Sequence, residues 1–289
     1  MTSATLFECS LSPRFTDLDT WRHVNNSRIY QLHQEARMRA HLERFGADAW
    51  FSDDVRLRPL RSTTDYRLVT WYGSDVQAQV RVLACEDDCY RVRSDLFQNG
   101  NHVGSQDCLM GAFNKHERVA LPAEVRDALA GMIEGEPEPL PDPKNRDVLQ
   151  RAAEFPVTCQ LTPRYGDLDV DAQRSEAALA QYMEQARYNA VRQLDFGGLG
   201  VLVASVDITF EHYRPGFDIM NLAATINRIG NSSFVFTGYA ANSQGMQATA
   251  NSVMVVIDTG SNRPVPIPAA LRQQLEKMML QPVTQPSSR

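Results

Sequence analysis

The chain has 289 residues, a net charge of −6 and no long basic run, which excludes the electrostatic footprint of a nucleic-acid-binding protein. No apolar stretch approaches the roughly 18 residues that span a membrane, and the start, Met-Thr-Ser-Ala-Thr-Leu-Phe-Glu, has neither the charge nor the apolar core of a secretory signal. The five cysteines form no metal-ligand set and read as free thiols of a reducing cytoplasm.

In chain order, a short strand around Cys9 leads into a loop over 17–25. The apolar spacing Ile29, His33, Ala36, Ala40 predicts a helix over 27–45, closed by Gly46. His33, on that apolar face, reads as a core residue. β-Branched and aromatic content predicts strands over 64–72, 75–84, 89–98 and 102–114. A short amphipathic helix opened by Pro122 follows. The acidic, proline-rich segment 134–146 cannot build a core and reads as a stiff, extended linker. The plan then recurs: a strand at Cys159, a loop over 167–174 and a helix over 175–195 closed by Gly197. Strands over 201–213, 219–229, 233–242 and 246–258 come next, then a helix opened by Pro268. Residues 281–289 read as a disordered tail.

The recurrence is literal. Residues 9–19 read Cys-Ser-Leu-Ser-Pro-Arg-Phe-Thr-Asp-Leu-Asp, and residues 159–169 read Cys-Gln-Leu-Thr-Pro-Arg-Tyr-Gly-Asp-Leu-Asp. The offset of 150 persists at Gln31/Gln181, Ala36/Ala186, Arg37/Arg187 and Ala40/Ala190. Two copies of one domain are therefore expected, over 1–133 and 153–280, with the linker over 134–152. One long helix followed by antiparallel strands predicts an α+β fold, a sheet wrapped around the helix. Copy 1 holds an eight-residue insertion between helix and first long strand. Its Arg56, Arg58 and Arg61 offer a basic patch or, equally, a solvated loop.

The run from Arg14 to Arg37, with Asp-Leu-Asp, His-Val-Asn-Asn and Glu-Ala-Arg in order, resembles the hotdog-fold acyl thioesterases, in particular the 4-hydroxybenzoyl-CoA and plant acyl-ACP branches. Copy 2 carries a weaker likeness, including Gly230-Asn-Ser-Ser-Phe234. The resemblance implies two tandem hotdog domains forming an intrachain pseudo-dimer, with acyl thioester sites between them. It departs from the family where Arg22 replaces a usual glycine, Trp21 replaces an asparagine of the plant enzymes, and Gln34 replaces a helix glutamate that copy 2 keeps as Glu184.

Thioester hydrolysis needs a carboxylate to activate water or attack the carbonyl, and donors for the oxyanion. The resemblance assigns the carboxylate to Asp19 and a polarising role to His23. The backbone N–H near Asn26, at a helix start, is the oxyanion candidate. Asn25 is a candidate for holding substrate, or else an N-cap. Asp17 reads as a turn cap, Arg14 and Arg164 as loop braces, and Glu35 with Arg39 as a surface pair. In copy 2 the positions of His23, Asn25 and Asn26 hold Gln173, Ser175 and Glu176. A glutamate there opposes a developing negative charge. Copy 2 instead keeps a glycine-rich turn, which makes Asn231, Ser232 and Ser233 the expected partner wall of one composite site.

The expected function is hydrolysis of an acyl-CoA or acyl carrier protein thioester, without metal or redox cofactor, nucleic acid or membrane. The acidic net charge favours CoA over an acidic carrier. A non-catalytic acyl-thioester binding protein and a hotdog dehydratase or hydratase are the alternatives. A homodimer of double-hotdog chains is compatible with the sequence.

Overall fold

The computed structural model describes residues 6–46, 55–136, 146–213 and 217–281. In copy 1, β1 (Phe7–Leu11) leads through a tight loop into α1 (Asn26–Phe45), followed by β2 (Arg56–Tyr66), β3 (Val76–Cys85), β4 (Cys89–Gln98), β5 (Asn101–Asn114), β6 (Glu117–Val119) and α2 (Ala123–Ala130). One helical turn, α3 (Arg146–Leu149), begins where the segment expected to be extended ends, within the linker expected over 134–152. Copy 2 repeats the plan with β7 (Val157–Leu161), α4 (Glu176–Val191), β8 (Gly200–Phe210), β9 (Met220–Ile229), β10 (Ser233–Asn242), β11 (Gly245–Ile257) and α5 (Ala269–Lys277). Residues 137–145 of the expected linker and the expected tail from 282 lie outside the described residues. No described helix is long and apolar enough to cross a membrane.

The strands form one antiparallel sheet in the order β1-β3-β4-β5-β2-β8-β11-β10-β9-β7, with β6 beside β5. Each half of this order repeats the other in reverse, because β2 and β8 join the copies edge to edge. This is the tandem hotdog pseudo-dimer: each half-sheet curls around its own helix, and the free edges that would invite aggregation meet each other instead. Across the join Thr63 faces Asp207. The sheets correspond at an offset of 144, as Thr63 to Asp207 and their neighbours Asp107 to Asn251. Thr63 and Asp207 are thus related to one another, and the pseudo-twofold passes between them.

Three expectations need correction. The first long strand runs over 56–66, not 64–72, so Arg56, Arg58 and Arg61 lie in β2 and not in a loop. The offset falls from 150 to 144, which makes the extra segment of copy 1 six residues; α1, at 20 residues against 16 for α4, supplies one turn of it. Gly197 does not close α4. That helix ends at Val191, after which Gln193 and Leu194 donate to Ala190 and Val191 in tighter turns that carry Leu194 into the core. Gly46 does end α1, with φ +81°, a backbone conformation that favours glycine.

Each helix buries a stripe against its sheet, and polar residues in that stripe find partners there. His33 is fully buried, and its Nδ1 lies 2.7 Å from Ser94 Oγ, while Nε2 has no partner among the described residues. Burial, reinforced by the Arg37 charge, pulls its pKa down to about 3. The native imidazole therefore stays neutral where the unfolded chain takes up a proton, below about 6.5. Stability from this residue is complete above that pH and falls as pH drops toward 3. The expected loss from His33 between pH 7 and pH 5 is about 2 kcal/mol. Urea midpoints at both pH values check this, with His33→Gln expected to lose less on acidification than the wild type.

Candidate active site

The two Asp-Leu-Asp segments fold into superimposable loops. A bridge between Leu18 and Val24 closes the first, and one between Leu168 and Arg174 closes the second. Asp19 N–H donates to the His23 carbonyl at 2.8 Å, and Asp169 N–H donates to Gln173 at the same distance. The side chains match as well. Asp19 Oδ1 accepts from the N–H groups of Trp21 and His23 at 2.9 and 3.1 Å, and Asp169 Oδ1 accepts from Asp171 and Gln173 at 2.9 and 3.1 Å. So tight a turn places one residue at positive φ: Arg22 at +64° and Ala172 at +55°. Arg22 thus adopts the conformation that a glycine suits. Ala172→Gly removes that strain without touching a charge, and is expected to stabilise the chain by about 1 kcal/mol in denaturant titrations.

Below these loops the braces are also shared. Asp17 and Asp167 each bond the backbone and guanidinium of the arginine three residues earlier, Arg14 and Arg164. Burial pushes the Asp167 carboxyl up, but the bonds from Arg164 and Tyr182 outweigh it and hold it below its ordinary value. Glu35 and Arg39 pair on the exposed helix face at 2.8 Å.

The copies part company at the second carboxylate oxygen. Among the described residues Asp19 Oδ2 has no hydrogen-bond partner. Asp169 Oδ2 accepts from Arg58 Nη1 at 2.6 Å, and Asp171 accepts from both Arg58 and Arg56. Arg61 pairs with Asp207 at 2.6 Å. The three arginines are neither a basic patch nor a solvated loop; they bind copy 1 to copy 2 across the join. At the related positions on β8 stand Gly200 and Leu202. Trp21 packs there, so close that a Cβ on Gly200 would lie 3.2 Å from its ring.

Copy 2 also meets this end of copy 1 through α4. Asn25 is the N-cap of α1: its Oδ1 accepts from Ser27 N–H at 2.7 Å, while its Nδ2 donates to Glu184 Oε1 at 2.8 Å. Asn26 Oδ1 accepts from Arg187 at 3.1 Å, and the Asn26 carbonyl accepts from Tyr66 at 3.1 Å. Arg28 and Ile29 N–H groups are spent on the Asn25 carbonyl. Among the described residues the Asn26 N–H has no acceptor, and it stands in the first helical turn, where the helix dipole favours negative charge. Burial pulls the Arg187 guanidinium down, against the opposing influence of Glu184 and Tyr66. His23 packs edge-on against Trp71, ring centroids 4.8 Å apart.

Asn231, Ser232 and Ser233 do not join this cluster. Their carbonyls accept from Ile267, Val256 and Gly230, tying the segment before α5 to the β9–β10 turn. Ser233 faces Val255, which faces Leu202, so the turn stands two strand spacings, roughly 10 Å, from β8. Glu184 and Arg187 of copy 2 hydrogen-bond the start of α1 beside the Asp19 loop, and Gln181, Glu184 and Gln185 line a cavity of about 390 Å³ with Asp17, Leu18 and Asn25. The signal for Glu184 was present in the repeat, as the glutamate that copy 1 replaces with Gln34.

No protein-family model matches the sequence, and no curated protein does. Solved structures do match over most of the chain. A 12:0-ACP thioesterase from Umbellularia californica is similar at TM-score 0.71 and 12% identity, over 87% of this chain and 94% of that one. An acyl-ACP thioesterase from Bacteroides thetaiotaomicron is similar at TM-score 0.67 and 10% identity, over 86% of this chain and 97% of that one. At such identities the likeness is one of fold, and the fold the chain shares with these thioesterases is the tandem hotdog.

Proposed function

We propose that the chain hydrolyses acyl thioesters at one composite site, with Asp19 as the carboxylate. One observation carries this reading: of two loops with the same geometry, only the first keeps a carboxylate oxygen unengaged beside a helix start whose amide is unengaged too. In the proposed reaction Asp19 Oδ2 takes the proton of an attacking water, or attacks the carbonyl itself. The Asn26 N–H stabilises the oxyanion, and the thiolate leaves and takes up the proton that water gave; where Asp19 itself attacks, water then hydrolyses the acyl–Asp19 anhydride to the free acid and restores the carboxylate. Asn25 and Glu184 hold the water or the thioester between the copies, and His23 closes the site with Trp71. In copy 2 Asp169 is neutralised by Arg58, and Glu176 stands at the helix start, so that loop serves the interface.

The thiol carrier we favour is CoA. An acidic carrier protein would need a positive landing surface, and Arg56, Arg58 and Arg61 are all engaged with aspartates of copy 2. The test is release of free thiol from a panel of acyl- and aryl-CoAs. The expected result is turnover by the wild type that Asp19→Asn removes. Tight acyl-CoA binding with no thiol released would favour the binding-protein reading instead.

A further inference from the structure

Two cavities in copy 1 share Arg37, Met38 and Met110. The outer one, about 220 Å³, opens beside Asp169, Ser175 and Glu176. The inner one, about 40 Å³, lies between α1 and the sheet against Val80, Val82, Tyr90 and Val92. The two cavities thus lie in line from the loop of one copy toward the core of the other, on either side of a buried arginine that pairs with the residue at the helix start.

By the pseudo-twofold, the residues related to that line run from the Asp19 loop into copy 2. Arg187 meets Asn26 there as Arg37 meets Glu176, and Met254 takes the place of Met110. The two lines end differently. The register of β4 and β10 puts Phe234 and Phe236 where copy 1 has Tyr90 and Val92. Both phenylalanines are buried, at 0% and 2% exposure, and they pack edge to face with centroids 5.5 Å apart. An aromatic ring therefore stands at the position where copy 1 has a valine lining its apolar cavity. The apolar gap beyond the buried arginine belongs to the loop whose carboxylate is tied to Arg58. The loop with the unengaged carboxylate leads to the filled core.

We infer that the site accepts short acyl groups and that Phe236 sets the length limit. This rests on Asp19 being the hydrolytic carboxylate. The test measures thiol release from acetyl-, butanoyl-, octanoyl- and lauroyl-CoA by wild type, Phe236→Val, Phe236→Leu and Val92→Phe, each with and without Asp19→Asn. In the wild type kcat/KM should fall at least tenfold from butanoyl to octanoyl. Phe236→Val should raise the octanoyl-to-butanoyl ratio at least tenfold, and Phe236→Leu, which preserves more of the packing, should raise it less. Val92→Phe, which fills the copy 1 cavity, should leave the wild-type profile in place. A wild-type preference for lauroyl-CoA overturns the inference. So does a folded Phe236→Leu or Phe236→Val with the wild-type profile, or a Val92→Phe that shortens the preference. Turnover that survives Asp19→Asn, or no turnover at all, would instead remove the underlying assignment of the site, and the inference with it.

Discussion

Asp19→Asn is expected to lower thioester turnover by about 10²–10⁴-fold, the range a positioned general base contributes, while leaving the fold unchanged. The reason lies in which oxygen does what. Asp19 Oδ1 is an acceptor for two backbone N–H groups, Trp21 and His23, and an asparagine carbonyl serves those equally well. The amide nitrogen then replaces Oδ2, the oxygen with no partner, and a neutral amide neither takes a proton from water nor attacks a thioester. The loss should therefore appear in kcat with little change in denaturation midpoint. Asp169→Asn is the matched control. Its Oδ2 already accepts from Arg58 at 2.6 Å, so the change should leave turnover within about twofold and reduce stability, because Arg58 loses one of its two carboxylate partners. Thiol-release kinetics and urea titrations on both variants check this. Equal loss of turnover in the two would mean that both loops act, and equal retention would place the chemistry elsewhere.

The tandem architecture was legible because duplication leaves a one-dimensional signal. The strands expected over 89–98 and 233–242 coincide with β4 and β10, since alternation and turn residues are local. The role of β2 was not legible. Arg56-Leu57-Arg58-Pro59 reads as a polar insertion on its own, but β5 pairs with it as a strand, and its arginines find partners in copy 2, the carboxylates of Asp169 and Asp171. Those partners are more than 100 residues away in sequence, as in the 111 that separate Arg58 from Asp169. The partner wall was misplaced for the same reason. The turn at Asn231–Ser233 carries family-like residues, but which copy 2 element reaches the Asp19 loop depends on how α1 and α4 pack across the pseudo-twofold. Periodicity within either copy holds no information on that packing.

The largest single loss of stability is expected from Arg37→Met. Arg37 Nη2 lies 2.8 Å from Glu176 Oε1, and the two side chains are 4% and 7% exposed. The pair joins α1 of copy 1 to the start of α4 in copy 2. Taking both charges out of water is costly, and their mutual attraction only repays that cost, so the intact pair is a weak source of net stability. Breaking it is another matter. Methionine fills much of the arginine's space but leaves the Glu176 carboxylate buried without its countercharge, which costs about 3–5 kcal/mol. Glu176→Leu should cost a comparable amount, because Arg37 then keeps only Gln106, at 3.3 Å, and a weak contact to the Met110 sulfur. The double variant R37M/E176L is expected to return to wild-type stability or to exceed it, since apolar side chains replace both partners. Arg39→Ala, which breaks the half-exposed pair with Glu35, should cost less than about 1 kcal/mol and sets the scale for a solvated bridge. Denaturant titrations of the four variants form a cycle. Single losses no larger than that of Arg39→Ala would mean that Glu176 reaches water. A double variant as unstable as the worse single would mean that the arginine's packing, and not its charge, holds the copies together.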